Sequence, residues 1–229
     1  MQFQVRHRPS YAMVEVTVSP GERLIAEGGA LVAKDAHVVM ETGARSKPDQ
    51  GLLGGLLAGA RRLLAGESFF TNSFTTDRPG RVMLAPALPG DLSLHTVDGA
   101  ELFVQSSGFL CSEESVNVDA SWGGARSFFA GEGLILLKAS GRGTIVFHAF
   151  GGMRPVDVDG SFVVDTGHIV AFESTLSYSV GRFGGGWLSA ILGSEGLVAT
   201  FTGRGRLWVQ SRSPQEFGQL VGPLLPPRE

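Results

Sequence analysis

The residues able to carry chemistry in this sequence are few and scattered. The five histidines, His7, His37, His95, His148 and His168, include no H-x-H or H-E-x-x-H pair. A cupin-like metal site needs closely spaced histidines with a downstream glutamate, so no metal is expected. The most enzyme-like pair is His168 with Glu173, in Gly167-His168-Ile169-Val170-Ala171-Phe172-Glu173. Their odd separation places them on opposite faces of one strand, so a turn is needed to bring them together. The corresponding positions upstream are Ala30 and Phe109, which favours a structural or interface histidine. Gly141-Arg142-Gly143 and Gly203-Arg204-Gly205 could offer backbone amides and a guanidinium to an anion. Each reads first as a tight hairpin turn with an exposed arginine. Arg142, His168, Glu173 and Arg204 are therefore the candidate ligand or anion contacts. No G-x-S-x-G elbow, P-loop or G-x-G-x-x-G before a helix occurs. No catalytic residue and no cofactor are expected.

Composition narrows the function classes further. With 19 Lys plus Arg against 22 Asp plus Glu, the net charge of -3 gives no general attraction to a polyanion, and nucleic acid is not expected as a partner. The lone Cys111 cannot close an intramolecular disulfide. It reads as a small buried hydrophobe. No apolar run follows the first charges, so a secretory signal is not expected and a cytoplasmic location is. Residues 51–60 form the most lipid-like stretch, interrupted by Arg61-Arg62, well short of the roughly 20 residues that a span requires.

The elements that must position these side chains read as strands. Val14-Glu15-Val16-Thr17-Val18 and Arg206-Leu207-Trp208-Val209-Gln210 alternate apolar and polar residues, the period of a half-buried antiparallel strand. Turn signals recur every 8–12 residues or so, which points to an all-β sandwich or barrel. Four landmarks recur three times in the same order. First come the glycine hairpins around Gly29, Gly108 and Gly167, each after a turn at Pro20-Gly21, Asp98-Gly99 or Asp159-Gly160. Strands follow at Val38-Val39-Met40, Val116-Asn117-Val118 and Leu176-Ser177-Tyr178. Glycine pairs at Gly54-Gly55, Gly123-Gly124 and Gly185-Gly186 then lead to Glu67, Glu132 and Glu195. Last are hairpins through Pro79-Gly80, Gly141-Arg142-Gly143 and Gly203-Arg204-Gly205. The chain is read as one compact domain, 1–229, of three repeated β-units, about 11–90, 91–152 and 153–213, with a short C-terminal helix and a Pro-rich tail.

The glycine-pair segments are apolar. Leu56, Leu57, Leu63 and Leu64 with Arg61 and Arg62 form an amphipathic patch, and Trp187, Leu188, Ile191 and Leu192 are its counterpart. They are the candidate partner or membrane contacts, and they would equally serve to plug the ends of their own β-units. A helix is expected at Ser213-Pro214-Gln215-Glu216, with Ser as cap, Pro in the first position and Glu completing a capping box.

Five motifs together resemble a known family. They are Leu64-Ala65-Gly66-Glu67-Ser68-Phe69-Phe70, Leu88-Pro89-Gly90-Asp91, Phe128-Phe129-Ala130-Gly131-Glu132-Gly133-Leu134, residues 164–173 and Ser194-Glu195-Gly196-Leu197-Val198. The chain resembles the altered-inheritance-of-mitochondria protein twenty-four family from about Tyr11 to Ser213. The resemblance implies a fold similar to the tryptophan RNA-binding attenuator protein: short double-stranded β-helix-like sandwich units repeated about a pseudo-threefold axis. It links mitochondrial members to inner-membrane organisation and implies no catalytic residues. The expectation is a non-enzymatic scaffold or assembly protein, homo-oligomeric, with a peripheral membrane or protein partner. The alternatives are a small-ligand-binding protein or an enzyme with a single site in a groove between units.

Overall fold

The valines of Met13-Val14-Glu15-Val16-Thr17-Val18 fall on one face of an extended chain, and all three are fully buried in the strand formed there. The computed structural model describes residues 1–44, 70–119, 135–182 and 197–226. The candidate contacts Leu56, Leu57, Arg61, Arg62, Leu63, Leu64, Trp187, Leu188, Ile191 and Leu192 lie outside them. Described strands are β1 (Gln2–Arg6), β2 (Met13–Val18), β3 (Leu24–Glu27), β4 (Leu31–Lys34), β5 (Val39–Ala44), β6 (Phe70–Thr75), β7 (Gly80–Leu84) and β8 (Leu92–Asp98). They continue as β9 (Leu102–Gln105), β10 (Phe109–Glu113), β11 (Val116–Asp119), β12 (Leu136–His148), β13 (Met153–Asp165), β14 (Ile169–Glu173), β15 (Leu176–Arg182) and β16 (Leu197–Gln210). The fold is all-β and antiparallel, with one short α-helix, α1 (Pro214–Val221), among the described residues.

The chain divides into two compact units, one drawn from residues 1–6, 13–87 and 110–114 and the other from 7–12, 88–109 and 115–229. In the first, one sheet runs β1-β2-β7-β4 and another β10-β3-β6-β5. Val14, Val16 and Val18 stand opposite Leu84, Val82 and Gly80, and Leu24 stands opposite Phe74, both fully buried.

In the second unit, β8, β9 and β11 line β12, while β13, β14 and β15 line β16. Strand β9 also pairs with β14. Ile169, Phe172, Phe201 and Leu207 are fully buried in its core beside Phe103 and Leu136. The Phe172 ring centroid lies 5.1 Å from Phe103, 5.0 Å from Phe201 and 5.3 Å from Tyr178, spacings that suit tilted and edge-to-face aromatic contacts.

The two Gly-Arg-Gly segments correct the sequence reading. Neither is a hairpin: each lies within one continuous strand, β12 or β16. Asp159-Gly160, read as a turn, likewise runs inside β13, with Gly160 opposite Gly203. Glycine here serves strand bending rather than chain reversal. Gly141 has φ +105°, and a Cβ there would lie 2.4 Å from the Ser115 carbonyl oxygen. Before this bend β12 pairs with β9 and β11, and beyond it with β8. In the first unit the corresponding path is two strands, since β6 pairs with β3 and β5 while β7 pairs with β2 and β4.

The C-terminal helix starts where the sequence places it. Ser213 caps it by accepting from the Glu216 amide, with Pro214 in the first turn.

Leu88-Pro89-Gly90-Asp91 forms a clasp in the second unit. Pro89 accepts from the Gly151 amide, Gly90 from Ala12 and Asp91 from Ala149, while the Asp91 amide donates to Gly151. The Asp91 side chain, buried at 3% exposure, accepts from Arg8 Nε at 2.7 Å and Nη2 at 2.9 Å, and from the Leu92 amide at 2.9 Å. Asp91→Ala is expected to cost about 2 kcal/mol, because the buried Leu92 amide loses its acceptor while the half-exposed Arg8 rehydrates. The shift of the urea midpoint at unchanged m-value measures it.

Candidate functional site

Strand β14 is buried from Ile169 to Phe172 and brings Glu173 out at its end. There Glu173 Oε2 accepts from the Arg206 main-chain amide at 2.8 Å. The Arg206 guanidinium turns to Asp157 on β13, Nε to Oδ1 at 2.8 Å. His95, projecting from β8, meets the buried Trp208 edge-on at 5.3 Å between centroids. Burial lowers the His95 pKa, with Glu173 opposing that shift and Arg206 adding to it. The resulting cluster of Asp157, Glu173, Arg206, Trp208 and His95 holds an acid and a neutral base beside an aromatic wall. Of its members only Glu173 stood out in the sequence. The others come from strands β8, β13 and β16, whose register no local motif encodes.

His168 is not part of this cluster. It ends a 3-10 turn, Thr166–His168, in which Asp165 caps the Gly167 amide at 2.8 Å. Its Nδ1 donates to the Gln210 carbonyl oxygen at 2.8 Å. The Gln210 side chain closes the arrangement, donating to the Gly167 carbonyl and accepting from the Phe150 amide, both at 2.9 Å. Glu173 is tied to residue 206 and His168 to residue 210 of the same strand, roughly 13 Å apart along it. The two therefore do not form a dyad. In the matching turn, Ser106–Gly108, the residue at the His168 place is Gly108, one position before the Phe109 that glycine matching selected.

Arg142 and Arg204 each sit opposite an aspartate in register, Asp98 and Asp159. Arg142 Nε lies 3.1 Å from Asp98 Oδ1 and Arg204 Nη2 lies 2.8 Å from Asp159 Oδ2, with all four side chains largely exposed. Such pairs contribute little to stability. They leave each guanidinium beside a carboxylate, an arrangement poorly suited to capturing an anion.

Three other groups are strongly perturbed, among them the fully buried Cys111 thiol, which burial pushes up. Burial pushes the Glu27 carboxyl up to about 7. His148 is 7% exposed, and its Nδ1 has no hydrogen-bond partner among the described residues. Burial lowers its pKa to about 4, against an opposing effect of the Ser107 and Ala149 main chain. The folded protein therefore keeps His148 neutral where the unfolded chain, near its ordinary value of about 6.5, takes up a proton. Its contribution to stability is complete above pH 6.5 and is lost as the pH falls toward 4. Between pH 7 and 5 the loss is about 2 kcal/mol. Measured against a His148→Phe variant in denaturant titrations, the wild type should therefore lose that amount of relative stability between about pH 7 and pH 5. The Glu27 contribution runs the other way, present below about 4.5 and lost as pH rises through 7, so comparison with the variant isolates the histidine.

Among the described residues, no group of three or more His, Cys, Asp or Glu could hold a metal ion, and no helix is long and apolar enough to cross a membrane. The family model described as Mitochondrial biogenesis AIM24 matches residues 3–212. The chain belongs to the AIM24 family. A curated relative, Uncharacterized protein M6_Spy0233 of Streptococcus pyogenes serotype M6, is 26% identical over 231 residues, covering 99% of this chain and 92% of that one. The crystal structure of protein SPYM3_0169 from Streptococcus pyogenes superposes with a TM-score of 0.77 at 23% identity, covering 98% of this chain and 99% of that one. That likeness establishes a shared fold. Within it, Leu88-Pro89-Gly90-Asp91 is the clasp, and residues 164–173 of the family resemblance hold the capped turn and β14.

Proposed function

We propose that this AIM24 family protein is a non-enzymatic structural module that works by assembling, built from three copies of one β-unit. The observation that carries this reading is one contact made twice. In the second unit Glu173, just beyond the pairing of Phe172 with Leu207, accepts from the Arg206 amide at 2.8 Å. In the first unit Asp35, just beyond the pairing of Lys34 with Val82, accepts from the Arg81 amide at 2.9 Å. The same bulge precedes both, between Leu31 and Ala33 and between Ile169 and Ala171. The most enzyme-like carboxylate thus has a structural counterpart that caps the same strand amide, as a repeated architectural part would.

Mass measurement of the intact, untreated protein tests the proposal. A discrete multiple of the 24.2 kDa chain with no retained small molecule is the expected result. A strictly monomeric protein at every concentration would overturn the self-assembly reading. The second reading, a single ligand site, rests on His95 beside Trp208 and Glu173 and requires a reproducible extra mass that a His95→Ala variant loses. Contact of Leu56, Leu57, Leu63 and Leu64 with a membrane surface or protein partner is the lesser part of the proposal, supported by their amphipathic sequence and by the inner-membrane link of mitochondrial members. A cytoplasmic, peripheral location accompanies it.

A further inference from the structure

Two strand pairings share one register. Cys111, Ser112 and Glu113 of β10 stand opposite Ala26, Ile25 and Leu24 of β3. Ala171, Phe172 and Glu173 of β14 stand opposite Val104, Phe103 and Leu102 of β9. In each case a strand that leads into a tight turn receives, on its outer edge, a strand that has just left another such turn. Two further strands have these same roles. Strand β4 is bonded to β7 as β14 is to β16, bulge included. Residues 162–165 of β13 lead into the Thr166–His168 turn just as β9 leads into Ser106–Gly108.

Neither of these has the corresponding partner. Strands β4 and β13 each stand at the end of their sheet's strand order, so among the described residues their outer edges carry no strand. Exposure follows the difference. Ala26, Val104, Cys111, Ala171 and Phe172, in the two pairings that are made, are 0% exposed, whereas Val32 is 57%, Val163 48% and Phe162 39% exposed. The first half of β13 carries Arg154, Pro155, Asp157 and Asp159, charges and a missing amide that discourage edge pairing. Gly160-Ser161-Phe162-Val163-Val164 carries no such protection. An apolar, unblunted edge of this kind invites another strand.

We propose that β4 of one copy of this chain pairs antiparallel with residues 162–165 of a second copy, setting Ala33 opposite Val164, Lys34 opposite Val163 and Asp35 opposite Phe162. This inference rests on the assembly reading and names its interface. Because the two edges differ, the contact is head-to-tail and builds a ring if the rotation closes, or a filament if it does not. The occupant is a second copy because both halves of the missing pair are present in this sequence, in the register that the other two pairs already use.

Engineered cysteines test it in the full-length protein. Lys34→Cys combined with Val163→Cys should, on mild oxidation, give chains covalently linked to one another, since directly opposed residues of antiparallel strands lie about 4.5–5.5 Å apart. Mixing the two single variants should give a crosslinked dimer that neither forms alone. Crosslinking only within one chain, or none in a protein whose native mass is oligomeric, would overturn this interface while leaving the assembly reading standing. A wild-type chain that is monomeric throughout would remove both. A second pair of variants needs no oxidation. Val163→Lys, placed opposite Lys34, should weaken self-association by about fivefold, whereas Val163→Glu should leave it as tight or tighter. Equal effects of the two charges would overturn the register.

Discussion

Phe172→Ala is expected to lower the unfolding free energy by about 3–5 kcal/mol, the largest loss from any single side chain truncated in the second unit. The residue is fully buried. Its ring contacts Phe103, Phe201 and Tyr178 at centroid distances of 5.1, 5.0 and 5.3 Å, and these come from β9, β16 and β15. Removing it takes apolar surface from three strands at once and leaves a cavity that strands held by ladder hydrogen bonds cannot readily close. Phe172→Leu keeps most of the volume and should cost about 1.5 kcal/mol or less. Urea unfolding followed by tryptophan fluorescence measures both, since Trp208 lies in the same unit. A loss below about 1 kcal/mol for the alanine variant would mean that the ring is not the hub of this cluster.

The second large effect needs the addition of only one methyl group. In Gly90→Ala, an ideally placed Cβ lies 1.9 Å from the Ala149 carbonyl oxygen and 2.8 Å from both the amide nitrogen and the carbonyl oxygen of Gly151. All three are backbone atoms, so no rotamer change relieves the overlap. The same peptide groups carry the bonds from Gly151 to Pro89, from Asp91 to Gly151 and from Ala149 to Asp91. Separating the two segments to admit the methyl breaks that clasp, and a loss of about 3 kcal/mol or more is expected. Thermal unfolding of the variant gives the number, and hydrogen exchange at the Ala149 and Gly151 amides reports whether the damage begins at the clasp. Wild-type stability and protection would show that the two segments do not approach this closely.

Much of this architecture is legible in the residues, and what is not has a physical cause. Alternation in residues 14–18 gives β2 and its buried face directly. Ser213, Pro214 and Glu216 give the start of α1, because capping is a local interaction between near neighbours. The strand at Arg206-Leu207-Trp208-Val209-Gln210 is equally plain. Its extension back through Gly205, Arg204 and Gly203 is not, since the same glycine that reverses a chain in a hairpin lets a paired strand bend. Only the strands packed alongside decide between the two. The clasp shows the same division: Leu88-Pro89-Gly90-Asp91 is recognisable as a motif, yet its partners Arg8, Ala12, Ala149 and Gly151 lie far off in sequence. His168 and Glu173 stand close together in the chain and are held apart by different parts of β16. His95 and Trp208 are distant in sequence and touch. Side-chain proximity in an antiparallel fold is set by register, which spacing along one strand does not carry.

The ladder between β13 and β16 has a consequence for biosynthesis. Met153 pairs with Gln210 and Asp165 with Val198, so the strand that organises the core of the second unit is translated after every other described strand. Until it emerges, β13 and β15 lack the neighbour to which each is bonded, and β14 has β9 on one edge alone. At about 5–20 residues per second this interval lasts on the order of seconds. Throughout it the apolar faces of three nascent strands are open to chaperones, and to neighbouring nascent chains with the same unfilled edges.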